Sequence, residues 1–211
     1  MSEVEQFKGR VSDALQVMGI TCRAEEIERC LRFLELLGRW NRLYNLTALR
    51  RFDQMVTHHL LDSLAILPYL QGERVVDVGT GAGLPGVPLA IMSPERAFLL
   101  LDSNGKKTRF IKQATIELAL GNVTTVTQRV ETFSPAVPFD TVITRAFAAL
   151  PTIVALTAHL CAPGGRLLLM KGLYPQEELA QLPAGFVVSE VVRLQVPGVD
   201  AERHLVIISA K

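Results

Sequence analysis

With 211 residues, 49% of them hydrophobic, the chain can bury one substantial core plus a helical addition, and its net charge of only +1 argues against a uniformly basic nucleic-acid-binding surface. Apolar stretches are cut by charge or proline well short of a bilayer span, and the opening MSEVEQFKGRVSDAL has charges where a secretory leader needs an apolar run, so a soluble cytoplasmic protein with no membrane partner is expected. Cys22, Cys30 and Cys161 form no CxxC pair and no Cys/His cluster at ligand spacing, which predicts free buried thiols and neither a disulfide framework nor a metal.

In chain order, residues 3–18 and 24–44 place apolar side chains at helical spacing, as in Ile27, Leu31, Leu34, Leu37 and Trp40, and a third helical stretch over 54–70 ends near Pro68. No strand pattern occurs before residue 70, so 1–70 is expected to be a helical extension and 71–211 the main domain. The extension also holds the first of two basic stretches: between Glu35 and Asp53 stand Arg39, Arg42, Arg50 and Arg51 with no acid between them.

From Arg74 the pattern becomes short apolar runs (RVVDVG, AFLLLD, VTTVTQ, FDTVIT, GRLLLMK) alternating with helical segments, which predicts a doubly wound α/β fold with a parallel sheet covered on both faces. Two closely spaced runs, FVVSEVVRLQV and RHLVIISAK, suit an antiparallel hairpin at the end of that sheet.

The run Val75 to Gly86, VVDVGTGAGLPG, reads as strand, glycine turn and helix start. Gly79, Gly81 and Gly83 suit a turn with positive φ that lets a ligand approach the backbone, and Pro85 suits the first turn of the next helix. Gly81 to Gly86 also matches GxGxxG, which alone is compatible with an NAD-dependent oxidoreductase. Asp77 before the glycines weighs against that reading, because a carboxylate there repels a pyrophosphate but can help hold the ammonium of S-adenosylmethionine. Asp102, closing the next strand, stands where nucleoside-binding α/β folds place an acid against ribose hydroxyls, and serves either cofactor. Past it lies the second basic stretch, Lys106, Lys107, Arg109 and Lys112, whose Lys106 and Lys107 are candidates for RNA contact.

Beyond these general features, YNLTA at 44–48, HLLDS at 59–63, DVGTGAGLPG at 77–86, LDS at 101–103, FD at 139–140, TRAF at 144–147 and ERHLV at 202–206 together resemble the small-subunit ribosomal RNA methyltransferase G family, also called glucose-inhibited division protein B. The likeness runs through nearly the whole chain. It implies a Rossmann-like class I methyltransferase sheet and methyl transfer from S-adenosylmethionine to N7 of a guanine in 16S ribosomal RNA near the decoding centre, in the small ribosomal subunit or a precursor. The family's cofactor contacts fall on Gly79, Leu84, Val130, Glu131 and Arg145; many members have alanine where Val130 stands. Arg145, leaving the fourth strand, is expected to position cofactor or base. Phe147 is a candidate for base stacking, Lys171 for RNA phosphate or guanine O6, and Arg203 with His204 for the substrate side. His59 and Asp62, three apart on one helical face, suit a hydrogen bond between elements as well as catalysis. A methyltransferase acting on another RNA is an alternative, as is a non-enzymatic RNA-binding module with a vestigial pocket, against which the intact glycines and acids argue.

Overall fold

The computed structural model of the chain describes residues 3–145 and 148–210, so the stacking expected of Phe147 lies outside the described residues. Five parallel strands, β1 (Arg74–Val78), β2 (Ala97–Asp102), β3 (Val123–Thr127), β4 (Phe139–Arg145) and β5 (Cys161–Lys171), are joined by β7 (His204–Ala210) antiparallel to β5, and by β6 (Phe186–Arg193) antiparallel to β7. The order across the seven-stranded sheet is β3-β2-β1-β4-β5-β7-β6. The expected hairpin is present, with the chain's last strand inside it and β6 at the edge. Strand order reverses between β1 and β4, the place where open α/β sheets bind ligands at their carboxyl edge.

Alternation along each strand divides its side chains between two cores. Val75, Phe98, Leu100, Ile143 and Leu168 face one cluster, and Val76, Leu101, Val142, Leu167 and Leu169 face the other with Ile153 and Val154 of α7 (Leu150–Thr157). The first cluster continues through α5 (Gly86–Met92) and α6 (Gly105–Glu117) into α1 (Glu3–Val17) and α2 (Ala24–Tyr44). Leu31, Leu34 and Leu37 of α2 are fully buried, and Phe33 and Trp40 meet Phe110 of α6 with ring centroids 5.9 and 5.6 Å apart. The stripe predicted on α2 therefore packs against the sheet's own helical layer, one core running through both parts of the chain.

The third helical stretch differs from the single helix expected over 54–70. It is α3 (Phe52–Met55), a π-helical stretch Val56–Leu61, α4 (Asp62–Leu64) and a 3₁₀ turn Leu67–Tyr69. The Thr57 hydroxyl donates back to the Asp53 and Gln54 carbonyls, a competition with the backbone ladder that bends helices, and Pro68 lacks the N–H a longer helix needs. π-helical turns recur where functional side chains must be presented, and this one carries His58 and His59 and runs directly into Asp62. Among the described residues no helix is long and apolar enough to cross a membrane.

Candidate active site

The loop between β1 and α5 is held from inside. Asp77 is fully buried; its Oδ2 accepts from the Thr80 hydroxyl at 2.6 Å and the Gly86 N–H at 2.9 Å. A Cβ on Gly86 would lie 2.8 Å from that oxygen and 2.2 Å from Leu100, so glycine is the residue that admits the bond. The loop also hooks onto the end of β2, the Gly79 and Thr80 N–H groups sharing the Leu101 carbonyl at 2.8 and 3.2 Å. Burial pushes the Asp77 carboxyl up to about 6 against the lowering pull of Thr80, Gly86 and Arg145.

Gly79, Gly81 and Gly83 all take positive φ, at 69°, 61° and 84°. Their surroundings differ. A Cβ on Gly83 would strike Val87 at 2.7 Å, so that glycine serves packing within the protein; next to it, Leu84 is buried. A Cβ on Gly81 would clash with nothing, meeting Lys107 Nζ at 3.8 Å and the Gly79 carbonyl at 4.0 Å, both ordinary contact distances. Asp102 fixes this stretch, its Oδ2 accepting from the Gly81 N–H and its Oδ1 from the Asn104 N–H, both at 2.8 Å. Asn104 in turn caps α6 through the Lys106 and Lys107 N–H groups.

Beside the loop opens a cavity of about 290 Å³ lined by Val78, Gly79, Leu101, Asp102, Ser103, Lys107, Gln128, Arg129, Val130 and Glu131. It gathers Gly79, Asp102, Lys107, Val130 and Glu131 of the residues singled out from sequence. Asp77, Gly81, Gly83 and Leu84 shape the loop without lining the cavity, and Lys106 stands exposed on α6 outside it. The set suits an amino-acid nucleoside: a glycine cradle at Gly81, carboxylates at Asp102 and Glu131, and in Asp77 Oδ1 a buried acceptor without a hydrogen-bond partner among the described residues.

A second cavity, of about 360 Å³, opens at the carboxyl ends of β4 and β5 and is lined by His58, His59, Asp62, Arg145, Met170, Lys171, Gly172, Leu194, Arg203 and His204. Asp62 accepts from Arg203 Nε at 2.7 Å through Oδ1 and meets Arg145 Nη1 at 3.4 Å through Oδ2, so Arg145 is ion-paired as well as cavity-lining. His59 is buried, with Nε2 2.8 Å from the Thr47 hydroxyl, and Thr47 is fixed in turn by Asn41, whose Oδ1 accepts from the Thr47 N–H. Burial, then the Arg145 charge, holds the His59 imidazole down to about 4, so it is neutral near pH 7. His204 Nδ1 lies 2.9 Å from the Gly172 carbonyl, and Tyr174 meets its ring edge-on. Lys171 lines the same cavity with its ammonium engaged by the Glu178 carboxylate at 2.8 and 3.1 Å and the Ala148 carbonyl at 3.0 Å; an RNA contact would have to compete with that pair.

A profile of the family described as rRNA small subunit methyltransferase G (GidB) matches residues 26–206. The chain belongs to this family. Curated relatives named ribosomal RNA small subunit methyltransferase G include those of Laribacter hongkongensis, 49% identical over 95% of this chain and 97% of that one, and Methylococcus capsulatus, 53% identical over 90% and 93%. Among solved structures, the glycopeptide N-methyltransferase MtfA complexed with S-adenosylhomocysteine has a TM-score of 0.63 at 12% identity, covering 72% of this chain and 87% of that one. The N-methyltransferase NodS from Bradyrhizobium japonicum WM9, also complexed with S-adenosylhomocysteine, has 0.56 at 14%, covering 86% and 98%. These likenesses show the fold alone; it is membership of a methyltransferase family that disfavours the dinucleotide reading of Gly81 to Gly86.

Three of the segments quoted for the resemblance thus do physical work at the second cavity: YNLTA supplies Thr47 to His59, HLLDS supplies His59 and Asp62, and ERHLV supplies Arg203 and His204. Cys161 begins β5 at the opposite end of the sheet, and burial pushes its thiol up to about 11, which leaves it no nucleophilic role at neutral pH. Cys30 is buried, while Cys22 and Cys161 are partly exposed. Sequence reasoning missed Gln128 and Arg129 in the first cavity and His58, Met170 and Leu194 in the second. Gln128 and Arg129 directly precede Val130, so the end of β3 was their available signal; Leu194 carried none.

Proposed function

We propose that the chain transfers a methyl group from S-adenosylmethionine to N7 of a guanine in 16S ribosomal RNA, acting in the cytoplasm on the small ribosomal subunit or a precursor. Residues 71–211 form the cofactor-binding domain in this reading, and 1–70 the helical extension that walls the substrate side. The observation that carries it is the placement of the two cavities at adjacent strand ends: Val78 and Gly79 lead into the first, Arg145 into the second, and Val78 and Thr144 are direct neighbours in the sheet.

The cofactor supplies an electrophilic sulfonium methyl. Gly79, Asp102, Val130 and Glu131 bind its nucleoside side, the Asp77 to Gly86 loop its amino-acid side. Guanine N7 has an in-plane lone pair and no proton to lose, so the chain's own residues need to orient the base and exclude water rather than remove a proton. A neutral His59 and the arginine pair on Asp62 are suited to this, since guanidinium N–H groups can hold O6 while N7 stays free.

RNA outside the cavities would meet the basic stretches. Arg39, Arg42 and Arg50 converge on a surface cavity of about 490 Å³ along α2, although Arg39 also pairs with Glu117 at 3.6 Å, and Arg51 turns to Asp53 at 2.6 Å. The deciding experiment is to incubate undermethylated small subunits, and their deproteinised RNA, with enzyme and labelled cofactor and to map N7-methylguanine. A single labelled guanine N7 is expected. Label at another atom, or none on any guanine, overturns the substrate assignment and leaves the cofactor assignment standing.

A further inference from the structure

Arg145 ends β4 and Arg203 immediately precedes β7, so two guanidiniums from separate strand ends enter the second cavity. Both are tied to one carboxylate on the helical extension. The Asp62 side chain is only 6% exposed, and each of its oxygens is committed to a different arginine. The arginines are about a quarter exposed, at 25% and 24%. Arg203 is held closely through Nε at 2.7 Å and Arg145 more loosely through Nη1 at 3.4 Å, and both line the cavity; Arg203 also donates Nη1 to the Glu202 carbonyl at 2.8 Å.

Such an arrangement has more positive charge than internal pairing requires. One carboxylate against two guanidiniums leaves the cluster at +1, and the neighbouring His59 contributes none near neutral pH. A purely structural tie between helix and sheet needs one arginine. Two, held by opposite oxygens of one carboxylate, make a fixed fork of the kind that recognises a carbonyl or phosphate acceptor with little reorganisation.

Resting on the methyltransferase reading above, we propose that Asp62 is a positioning residue for the target base: its carboxylate locks Arg145 and Arg203 so that their free N–H edges hold the 6-oxo group of guanine and leave N7 open to the methyl. Asp62 itself touches neither base nor cofactor. The cavity reads a 6-oxopurine and disfavours a 6-aminopurine, whose N–H groups would face the guanidiniums.

The test is a mutant cycle read by single-turnover methylation of small subunits at saturating cofactor. Asp62→Asn is expected to slow methyl transfer by about a hundredfold, the cost of misplacing reacting groups by about an ångström, while S-adenosylhomocysteine affinity in calorimetry stays within about twofold. In an Arg145→Gln, Arg203→Gln background, adding Asp62→Asn is expected to cost less than about threefold, because no guanidinium remains to be positioned. A full loss on adding Asp62→Asn to that background overturns the proposal, as does a fall in cofactor affinity that matches the fall in rate. If Asp62→Asn alone does not fold, leaving two partly buried arginines without their partner, the comparison of double and triple variants decides the same question. Wild-type enzyme that labels no guanine N7 fails the activity reading; wild-type enzyme that labels it, with an additive cycle, fails this inference alone.

Discussion

The two cavities differ in how far along the chain their parts are drawn. In the cofactor loop, Asp77 reaches Thr80 three positions on and Gly86 nine positions on, and Gly81 reaches Asp102 twenty-one positions away. In the substrate cavity, Asp62 reaches Arg145 across 83 positions and Arg203 across 141. The first is a local solution, in which glycine φ angles and one buried carboxylate determine shape. The second exists only after the helical extension has docked on the sheet and the terminal hairpin has closed. A fault in the loop should therefore remain a cofactor fault, whereas a fault at Asp62 or Arg203 should leave the cofactor untouched; Arg145, whose charge also acts on Asp77, stands between the two.

The largest effect that would sharpen this contrast is expected from Gly81→Val. Its side chain would press toward Lys107, which lines the cavity, on a backbone at φ 61° that a β-branched residue resists. S-adenosylhomocysteine affinity in calorimetry should fall by more than about a thousandfold, roughly 4 kcal/mol, while melting stays cooperative. Retained affinity would remove the loop from the cofactor and dissolve the distinction between the halves.

The same difference in range governs what the sequence disclosed. Strand alternation and the glycine turn depend on neighbours within a few residues, so the α/β order and the shape of the loop after β1 were legible. The partners of Asp62 were not, because nothing local links a helix near residue 60 to strand ends near 145 and 203; only the family resemblance brought these segments together. The third helix shows the limit in miniature: its apolar spacing was readable, but the π-helical stretch Val56–Leu61 within it was not. The glycine pattern likewise did not reveal that Gly83 answers to Val87 and Gly86 to Leu100, whereas a Cβ on Gly81 would meet its neighbours only at ordinary contact distance.

Asp77 in one half and His59 in the other are buried groups whose titrations oppose each other in pH. Asp77, raised to about 6 by burial, holds its proton more tightly folded than unfolded, so its contribution to stability is lost as pH rises from about 4 through about 6. His59, lowered to about 4 by burial and then by Arg145, resists protonation when folded, so its contribution is gained as pH rises from about 4 to about 6.5. Shifts of this size correspond to about 3 kcal/mol at most for each group, and in the wild type they largely cancel. Urea unfolding between pH 4 and 7 should show Asp77→Asn gaining stability with pH more steeply than wild type, and His59→Gln less steeply. Superimposable slopes would mean that neither burial is linked to folding and that the two halves do not differ in this respect.

The smallest effect is expected outside both cavities, where the contrast between local and assembled sites gives way to diffuse charge. Arg42 and Arg50 border the α2 surface cavity, while Arg51 is already occupied by Asp53 at 2.6 Å and Lys106 stands exposed on α6, outside the cofactor cavity. Each arginine that contacts phosphate releases a counterion on binding, so replacing Arg42 and Arg50 by Gln should flatten the dependence of log affinity on log salt by about one unit per lost contact. Arg51→Gln should leave that slope nearly unchanged, because its guanidinium is neutralised before RNA arrives. Lys106→Gln separates the two basic stretches: it should flatten the slope only if the RNA also runs along α6. Lys107 is unsuitable for that comparison, since it lines the cofactor cavity and its loss would mix RNA and cofactor effects. All of these variants should keep wild-type cofactor affinity and, at low salt and saturating RNA, near-wild-type single-turnover rates. A slope insensitive to Arg42 and Arg50 would assign the α2 arginines to solvent and leave recognition to the assembled cavity alone.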